Sequence, residues 1–203
     1  MSPGTETFAT LATRIQARAP RLGAVRLVAV DGGAGSGKST FAERLGSALG
    51  RDAPDVQVVH TDDLLEGWAD IVSFWPRLDA WILAPLRAGL PGRYRRYDWH
   101  RGDLAEWHDV PVVDTLVLEG VTSARAAVRP SLSYAIWVEA DSSTRLARGV
   151  ARDGERLRPQ WLEWMAAEAE HFGVDGTAGA ADLVVDGNPS IAHDPATSYV
   201  RLR

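Results

Sequence analysis

The chain has 203 residues, of which 45% are hydrophobic and 24% are charged, with a formal net charge of -5 and no cysteine. This composition is typical of one globular domain with a substantial core, and the lack of cysteine excludes disulfides, thiolate metal sites and cysteine nucleophiles. The negative charge argues against non-specific binding to nucleic acid or acidic membranes. No segment resembles a signal peptide or reaches the roughly 18 apolar residues of a membrane span. We therefore expect a cytoplasmic protein without nucleic-acid or membrane partners.

The predicted elements alternate along the chain between helices and short apolar strands. Phe8, Leu11 and Ile15 have helical spacing, which predicts an N-terminal helix within residues 1–22. Apolar runs that are typical of buried parallel strands lie at 25–30, 56–60, 115–118, 134–138 and 182–185. Helical segments are predicted between these strands at 39–49, 76–88, 143–152 and 159–172.

This alternation predicts an α/β fold in which a five-stranded parallel sheet carries helices on both faces. We expect a single domain over 1–203, with its core at 24–187 and a tail at 188–203. Several acidic residues end or follow predicted strands, and these are Asp31, Asp62, Glu119 and Asp141. Because the carboxyl ends of parallel strands share one edge of a sheet, we expect these carboxylates to line that edge, although helix capping also explains Asp141.

A glycine-rich loop follows the first predicted strand and contains Lys38, the only lysine among the 22 Lys and Arg residues. The loop matches G-x-x-x-x-G-K-[ST], in which backbone N–H groups surround nucleotide phosphates and the lysine reaches the β- and γ-phosphates. The predicted nucleotide-binding residues are Gly32, Gly33, Ala34, Gly35, Ser36, Gly37, Lys38, Ser39 and Thr40. The alternative is an arginine-biased composition that left one lysine in a glycine-rich turn. The strand before the loop and the helix after it favour the phosphate site.

Carboxylates near this loop predict further chemistry. Glu119 ends the third predicted strand and is expected to hold Mg²⁺ together with the Ser39 hydroxyl; the alternative is a capping or turn carboxylate. Asp62 and Asp63 follow the second strand, where one carboxylate can orient or deprotonate an acceptor hydroxyl and the other can cap the next segment. With Lys38 as the only lysine, the chain lacks the Asn/Thr-Lys-x-Asp element of Ras-type guanine recognition. These features favour a small kinase.

A cluster of arginines lies in the second half of the chain. Arg145, Arg148 and Arg152 are spaced i, i+3 and i+7, which places them on one face of a predicted helix. Clustered guanidinium groups bind phosphate oxygens and stabilise the charge that develops during phosphoryl transfer, so we predict an arginine-rich lid over 145–158. The alternative is a solvated basic face that pairs with neighbouring carboxylates.

Taken together, these motifs resemble the uridine kinase family, which is related to phosphoribulokinase and pantothenate kinase. The resemblance spans about 25–187 and is carried by the segments 31–40, 60–63, 97–100, 118–120 and 145–153. It implies a P-loop NTPase fold and a kinase that uses ATP and Mg²⁺ to phosphorylate a hydroxyl of a small metabolite. A nucleoside such as uridine or cytidine is the leading acceptor.

The predicted site has three parts. The residues expected to take part in catalysis, with Asp62 as the base, are Lys38, Asp62, Arg148 and Arg152. The residues expected to contact the acceptor are Asp63, Tyr97, Trp99 and His100. The residues expected at the metal ion are Ser39, Asp62 and Glu119.

Several positions depart from the family pattern. Leu64 and Leu65 stand where the family has aromatic residues, and Gly149 replaces a second consecutive lid arginine. The acceptor therefore stays open between a nucleoside and another small metabolite, such as pantothenate or a sugar phosphate. A regulatory protein that binds ATP without phosphoryl transfer is a further alternative, and a homo-oligomer stays open as a partner.

Two aromatic features remain. The arginine-rich segment 93–101 contains two tyrosines, and we expect an exposed hairpin there rather than a site for an anionic acceptor. Of the eight tryptophans, Trp68 and Trp99 are candidate pocket residues, whereas those on predicted helices are expected to pack in the core.

Overall fold

The computed structural model describes residues 3–51 and 55–203. Its strands are β1 (Gly4–Thr7), β2 (Arg26–Asp31), β3 (Val56–His60), β4 (Gly92–Asp98), β5 (Asp103–Val110), β6 (Thr115–Glu119), β7 (Leu132–Glu139), β8 (Leu183–Asp186) and β9 (Ser198–Arg201). Its α-helices are α1 (Phe8–Gln16), α2 (Lys38–Leu49), α3 (Trp75–Leu78), α4 (Ala84–Arg87), α5 (Ser142–Asp153), α6 (Arg158–Asp175) and α7 (Thr177–Ala180). None of the helices in these two ranges is long and apolar enough to cross a membrane.

The five predicted strands form the parallel part of the central sheet, in the order β8-β7-β2-β6-β3. The prediction of five strands in total was wrong, because the described residues form a sheet of seven. Strand β9 pairs antiparallel with β8, and β1 pairs antiparallel with β9. The segment 1–22 therefore contains a strand before its helix, and the tail 188–203 contains the strand that joins β1 to the sheet.

The central strands are buried because both faces of the sheet are covered. All five residues of β6 are buried, and along β2 the side chains alternate between the two faces. Leu27 and Ala29 belong to a core that includes residues of α3 and α6. Val28 and Val30 belong to a second core, formed with α1 and α2. This arrangement confirms the prediction of helices on both faces of the sheet, and the sheet itself is mostly rather than entirely parallel.

The predicted helix at 76–88 is divided in the structure. A π-helical segment, Asp79–Leu83, separates α3 from α4, and the N–H of Ala84 bonds to the carbonyl of Asp79 five residues earlier. Pro85 explains the interruption, because proline has no N–H to donate to the carbonyl of Trp81 and its ring would collide with that carbonyl in a regular α-helix.

Strands β4 and β5 form an antiparallel hairpin outside the central sheet, which confirms the hairpin expected for the arginine-rich segment. Its turn is held by Asp98, whose carboxylate accepts hydrogen bonds from the backbone N–H groups of His100 and Arg101. The Arg95 guanidinium donates to two carbonyls of β5, and Arg96 pairs with Glu106. These arginines therefore hold the hairpin together.

Candidate active site

The glycine-rich loop connects the end of β2 to the start of α2. Three of its glycines have backbone conformations that favour glycine, with φ of 144° at Gly32, 79° at Gly35 and 99° at Gly37. Gly37 is the residue before the first turn of α2, and no side chain of the described residues caps that turn. Backbone N–H groups at a helix N-terminus attract anions, so this loop has the geometry of a phosphate site.

Lys38 and Ser39 begin α2 and face two other parts of the site. The Lys38 side chain is buried, and its Nζ donates to the carbonyl of Gly33 across the loop at 3.2 Å. The Ser39 Oγ donates to Oε1 of Glu119 at 3.2 Å. Ser36 is also buried, and its Oγ has no hydrogen-bond partner in the described part of the chain, whereas Thr40 is exposed.

Glu119 is buried at the end of β6, with 4% of its surface exposed. Its Oε2 lies 2.6 Å from Nδ1 of His60 at the end of β3. This hydrogen bond raises the pKa of His60, and the charges of Glu119, Asp63 and Asp62 act in the same direction against the effect of burial. Strands β3 and β6 pair in register at these two residues, so the sheet itself brings them together.

The donor set fits a magnesium ion that is bound mainly through a nucleotide. Residues 3–51 and 55–203 contain no group of three or more His, Asp or Glu residues that could hold a metal ion by themselves. Mg²⁺ usually keeps several waters and binds through one or two carboxylates together with substrate phosphates. The Ser39 hydroxyl and the Glu119 carboxylate, in contact beside the loop, provide such ligands.

Asp62 lies in a 3₁₀ turn, Thr61–Leu64, that follows β3. Asp62 is exposed to solvent, but desolvation by the protein around its carboxylate raises its pKa. The Glu119 carboxylate raises the pKa further, whereas the charges of Lys38 and Arg152 lower it. Asp62 thus lies close enough to Glu119, Lys38 and Arg152 for their charges to shift its pKa. A raised pKa makes its carboxylate a stronger base.

Asp63 has a structural partner. Its Oδ2 accepts a hydrogen bond of 3.1 Å from the Tyr94 hydroxyl on β4. Burial raises the pKa of Tyr94, and the charge and hydrogen bond of Asp63 act in the same direction, so the phenol keeps its proton and donates. Neither aspartate caps the 3₁₀ turn. Asp63 instead fastens the hairpin beside Asp62.

An aromatic cluster lies against this turn. The indole Nε1 of Trp99 donates to the backbone carbonyl of Asp62 at 3.2 Å, and the Trp99 ring, 41% exposed, packs edge-on against Tyr97 and Trp68. Trp68 in turn packs edge-on against Trp161 and Trp164 of α6. The two predicted pocket tryptophans therefore lie together next to Asp62, whereas His100 is exposed on the hairpin turn.

The predicted lid arginines lie on or just after α5, which packs against α6. Arg148 donates to the carbonyls of Gly35 and Gly187, and Arg152 pairs with Asp153 and lies over the ring of Trp161. The structure does not show a lid as such, and closure of 145–158 over a nucleotide stays a prediction. The structure does place Arg148 against the loop.

No protein-family model matches this sequence, and no curated protein matches it. Among solved structures, the fold is similar to that of a possible uridine kinase from Bacillus stearothermophilus, with a TM-score of 0.66 and 20% identity over 87% of this chain and 96% of that chain. It is also similar to a putative fructose transport system kinase from Silicibacter sp. TM1040, with a TM-score of 0.57 and 21% identity over 88% and 98% of the two chains. The YGR205w protein has a TM-score of 0.54 and 10% identity over 88% and 90%. The chain has the fold of P-loop kinases.

Within this P-loop kinase fold, Asp31, which the sequence placed at the carboxyl edge of the sheet without a role of its own, connects two loops of the site. Asp31 is fully buried and accepts hydrogen bonds from the N–H groups of Gly32, Thr122 and Ala124, at 2.7, 3.0 and 2.8 Å. Thr122 has a positive φ of 69°, and its Oγ1 accepts from Trp75 Nε1. Asp31 therefore fixes the P-loop relative to the segment that follows Glu119.

A residue that the sequence analysis missed is Glu168 on α6, which is 1% exposed and accepts a hydrogen bond of 2.8 Å from the N–H of Ala34 in the P-loop. The sequence contains a signal for its burial. Trp161, Trp164 and Glu168 are spaced i, i+3 and i+7, so Glu168 lies on the same face of α6 as two buried tryptophans.

Proposed function

We propose that the protein is an ATP- and Mg²⁺-dependent kinase that transfers the γ-phosphoryl group of ATP to a hydroxyl of a small metabolite. The observation that carries this proposal is the position of Asp62, a carboxylate in electrostatic contact with Lys38 and Glu119 and beside the exposed ring of Trp99. A protein that only binds ATP needs neither a base nor an exposed aromatic ring beside that base. The kinase fold supports the same reaction class.

Different residues bind the phosphates, hold the metal ion and stabilise the transition state. The N–H groups of 32–40 and the Lys38 ammonium bind the phosphates. Ser39, Glu119 and Asp62 would hold Mg²⁺, which neutralises charge on the β- and γ-phosphates when it is bound. The guanidinium groups of Arg148 and Arg152 on α5 would stabilise the charge of the transition state.

The transfer step uses Asp62 as the base. The oxygen of the acceptor hydroxyl forms a bond to the γ-phosphorus while the bond to the bridging oxygen of ADP breaks. The hydroxyl proton passes to the Asp62 carboxylate. The products are ADP and the phosphorylated acceptor, so atoms and charge balance without a further reactant.

The acceptor that we propose first is a nucleoside such as uridine or cytidine. The rings of Trp99 and Tyr97 offer aromatic faces and edges on which a planar base can stack. In this proposal Asp63 and His100 also contact the acceptor. The hydrogen bond from Tyr94 holds the Asp63 carboxylate in position. A sugar or sugar phosphate is the second candidate, since one structure of similar fold is that of a putative fructose transport system kinase.

The first experiment is a panel of nucleosides, sugars and other small metabolites, each incubated with the protein, ATP and Mg²⁺. Equal amounts of ADP and phosphorylated product with one acceptor class support the kinase and identify the acceptor. ATP binding without acceptor-stimulated ADP release would favour a regulatory ATP-binding protein instead.

The base is tested with Asp62→Asn. We expect turnover with the best acceptor to fall by about 10²- to 10⁴-fold, because general-base catalysis contributes factors of this order. The Kd for ATP should stay nearly unchanged. Asp109→Asn, which removes an exposed carboxylate from the hairpin, serves as the control and should keep wild-type turnover. Turnover retained by Asp62→Asn would refute the assignment of the base.

A further inference from the structure

A buried ion pair between α5 and α6 encloses the first half of the P-loop. The Arg145 guanidinium pairs with the Glu168 carboxylate, and their side chains are 14% and 1% exposed. Glu168 Oε2 accepts from the N–H of Ala34 at 2.8 Å, and Arg145 Nη1 donates to the carbonyl of Ala34 at 3.3 Å. The pair thus binds both backbone polar groups of one loop residue.

The same arginine fills the space beside two glycines of the loop. A Cβ at Gly33 would lie 1.9 Å from Arg145 Nη1, and a Cβ at Gly35 would lie 2.6 Å from the Arg145 carbonyl oxygen. Gly35 requires glycine because the α5 backbone approaches it so closely, whereas a side chain at Gly33 would displace the Arg145 guanidinium and the Glu168 carboxylate. Arg148, one turn further along α5, donates to the carbonyl of Gly35. Helix α5 therefore holds the loop at successive residues.

We propose that Arg145 and Glu168 are positioning residues that hold the P-loop in its phosphate-binding shape and join the loop to α5 and α6 as one unit. Separating a buried carboxylate from its cation and amide partners is costly, because it leaves a buried charge without compensation. Any movement of α5 and its arginines is thereby linked to the backbone at Ala34. Arg145 does not act as a phosphate ligand. This inference rests on the proposed function in that ATP is the ligand of the loop.

A second ion pair on α6 provides a matched control. Asp175 pairs with Arg129, their side chains are 10% and 29% exposed, and Asp175 also accepts from the backbone N–H of Ala126 at 2.8 Å. The chemistry is similar to that at Glu168, since one carboxylate of α6 binds one arginine and one backbone amide, although Asp175 also accepts from the Thr177 hydroxyl at 2.7 Å. The difference is that Asp175 holds the segment after β6 rather than the P-loop.

The test compares Glu168→Gln with Asp175→Asn by calorimetric titration with ATP and Mg²⁺, well below the unfolding temperature of each variant. Both variants are expected to lose thermal stability. The Kd for ATP should rise about tenfold or more in Glu168→Gln, because small displacements of a binding loop have effects of this size or larger. It should change by less than about twofold in Asp175→Asn. Equal changes in the two variants, or no change in Glu168→Gln, would overturn the proposal.

Hydrogen exchange gives a readout that does not depend on nucleotide. Exchange of the amides at 34–37 should accelerate in Glu168→Gln and stay at the wild-type rate in Asp175→Asn. If the wild-type protein binds no ATP, the proposed function fails, and this comparison alone decides whether the ion pair positions the loop. Equal exchange at 34–37 in the two variants would refute the positioning role.

A double variant keeps the test valid if Glu168→Gln does not fold. Arg145→Leu combined with Glu168→Leu removes both charges, and such apolar replacement of a buried pair is often neutral for stability. The polar groups of Ala34 still lose their partners, so the Kd for ATP should remain raised in a folded protein. Wild-type affinity in the double variant would contradict the proposal.

Discussion

Asp31 is the residue whose surroundings make the clearest prediction about pH. Burial raises its pKa to about 7, against the opposing effects of three backbone hydrogen bonds and the charge of Lys38. Between its ordinary value of 3.8 and about 7, the folded state binds the proton more tightly than the unfolded state does. This group therefore adds stability at low pH, and its contribution falls as the pH rises through that window and is constant above it.

The prediction is tested by urea unfolding of the wild type and Asp31→Asn at several pH values from 5 to 8. The variant should be less stable at every pH, because Asn cannot accept hydrogen bonds with both of its side-chain termini. Below pH 7, the free energy of unfolding of the wild type should decrease by about 1.4 kcal/mol for each pH unit of increase. The variant should lack this decrease. Asp194→Asn is the control, since the hydrogen bonds of Asp194 lower its pKa and it does not titrate in this range. Identical pH slopes in the wild type and Asp31→Asn would contradict the prediction.

The residues of the site differ in how far the sequence predicts them. Lys38, Ser39 and Glu119 are marked by local patterns, namely a motif and the end of an apolar strand, and the structure brings them together. Glu168 is 134 residues from its partner Ala34. Such a contact depends on how α6 packs on the sheet, so no local pattern specifies it.

At the scale of elements, the packing around Gly149 explains why α5 lacks the second consecutive arginine that is common in the uridine kinase family. A Cβ at this position would lie 2.4 Å from the indole ring of Trp161 on α6, and the Trp161 Nε1 is held by Asp153. The glycine therefore permits the close packing of α5 on α6, where a second arginine would find no space. The sequence shows the departure but not the ring that causes it.

We predict that Gly149→Ala destabilises the protein by about 1 to 3 kcal/mol, the usual cost of overpacking a tight contact. Gly173→Ala is the matched control, because Gly173 lies within α6 and a Cβ there meets nothing within 4 Å. That control should gain about 0.5 to 1 kcal/mol from the better helix propensity of alanine. Denaturant unfolding measures both. A Gly149→Ala variant as stable as Gly173→Ala would show that α5 and α6 are not packed as described.

At the scale of the whole molecule, sequence patterns predict the parallel strands but miss the two terminal ones. Strand β3 has the predicted bounds, 56–60, because an apolar run between polar segments marks it. Strands β1 and β9 have only four residues each and lack such a run. Their pairing joins the two ends of the chain, so it depends on long-range contacts that local periodicity does not contain.

Tyr199 on β9 links these terminal strands to the helices on one face of the sheet. Its ring is buried, with centroids 5.3 Å from the rings of both Phe8 on α1 and Phe41 on α2. Its hydroxyl donates to Glu6 of β1 at 2.8 Å, and Glu6 also pairs with Arg14. The tail thus contributes to the core that supports the start of α2, although it lies outside the predicted site.

We therefore predict that Tyr199→Ala lowers the free energy of unfolding by about 3 to 5 kcal/mol, as expected for deleting a large buried ring. Tyr199→Phe keeps the ring and removes only the hydrogen bond to a charged group, so it should cost about 1.5 to 3 kcal/mol. Urea unfolding measures both values, and the fraction of Tyr199→Ala that remains folded should bind ATP with the wild-type Kd. If the alanine variant is no less stable than the phenylalanine variant, the aromatic contacts of β9 do not support the core, and the terminal strands are an attachment to the sheet rather than part of its cooperative unit.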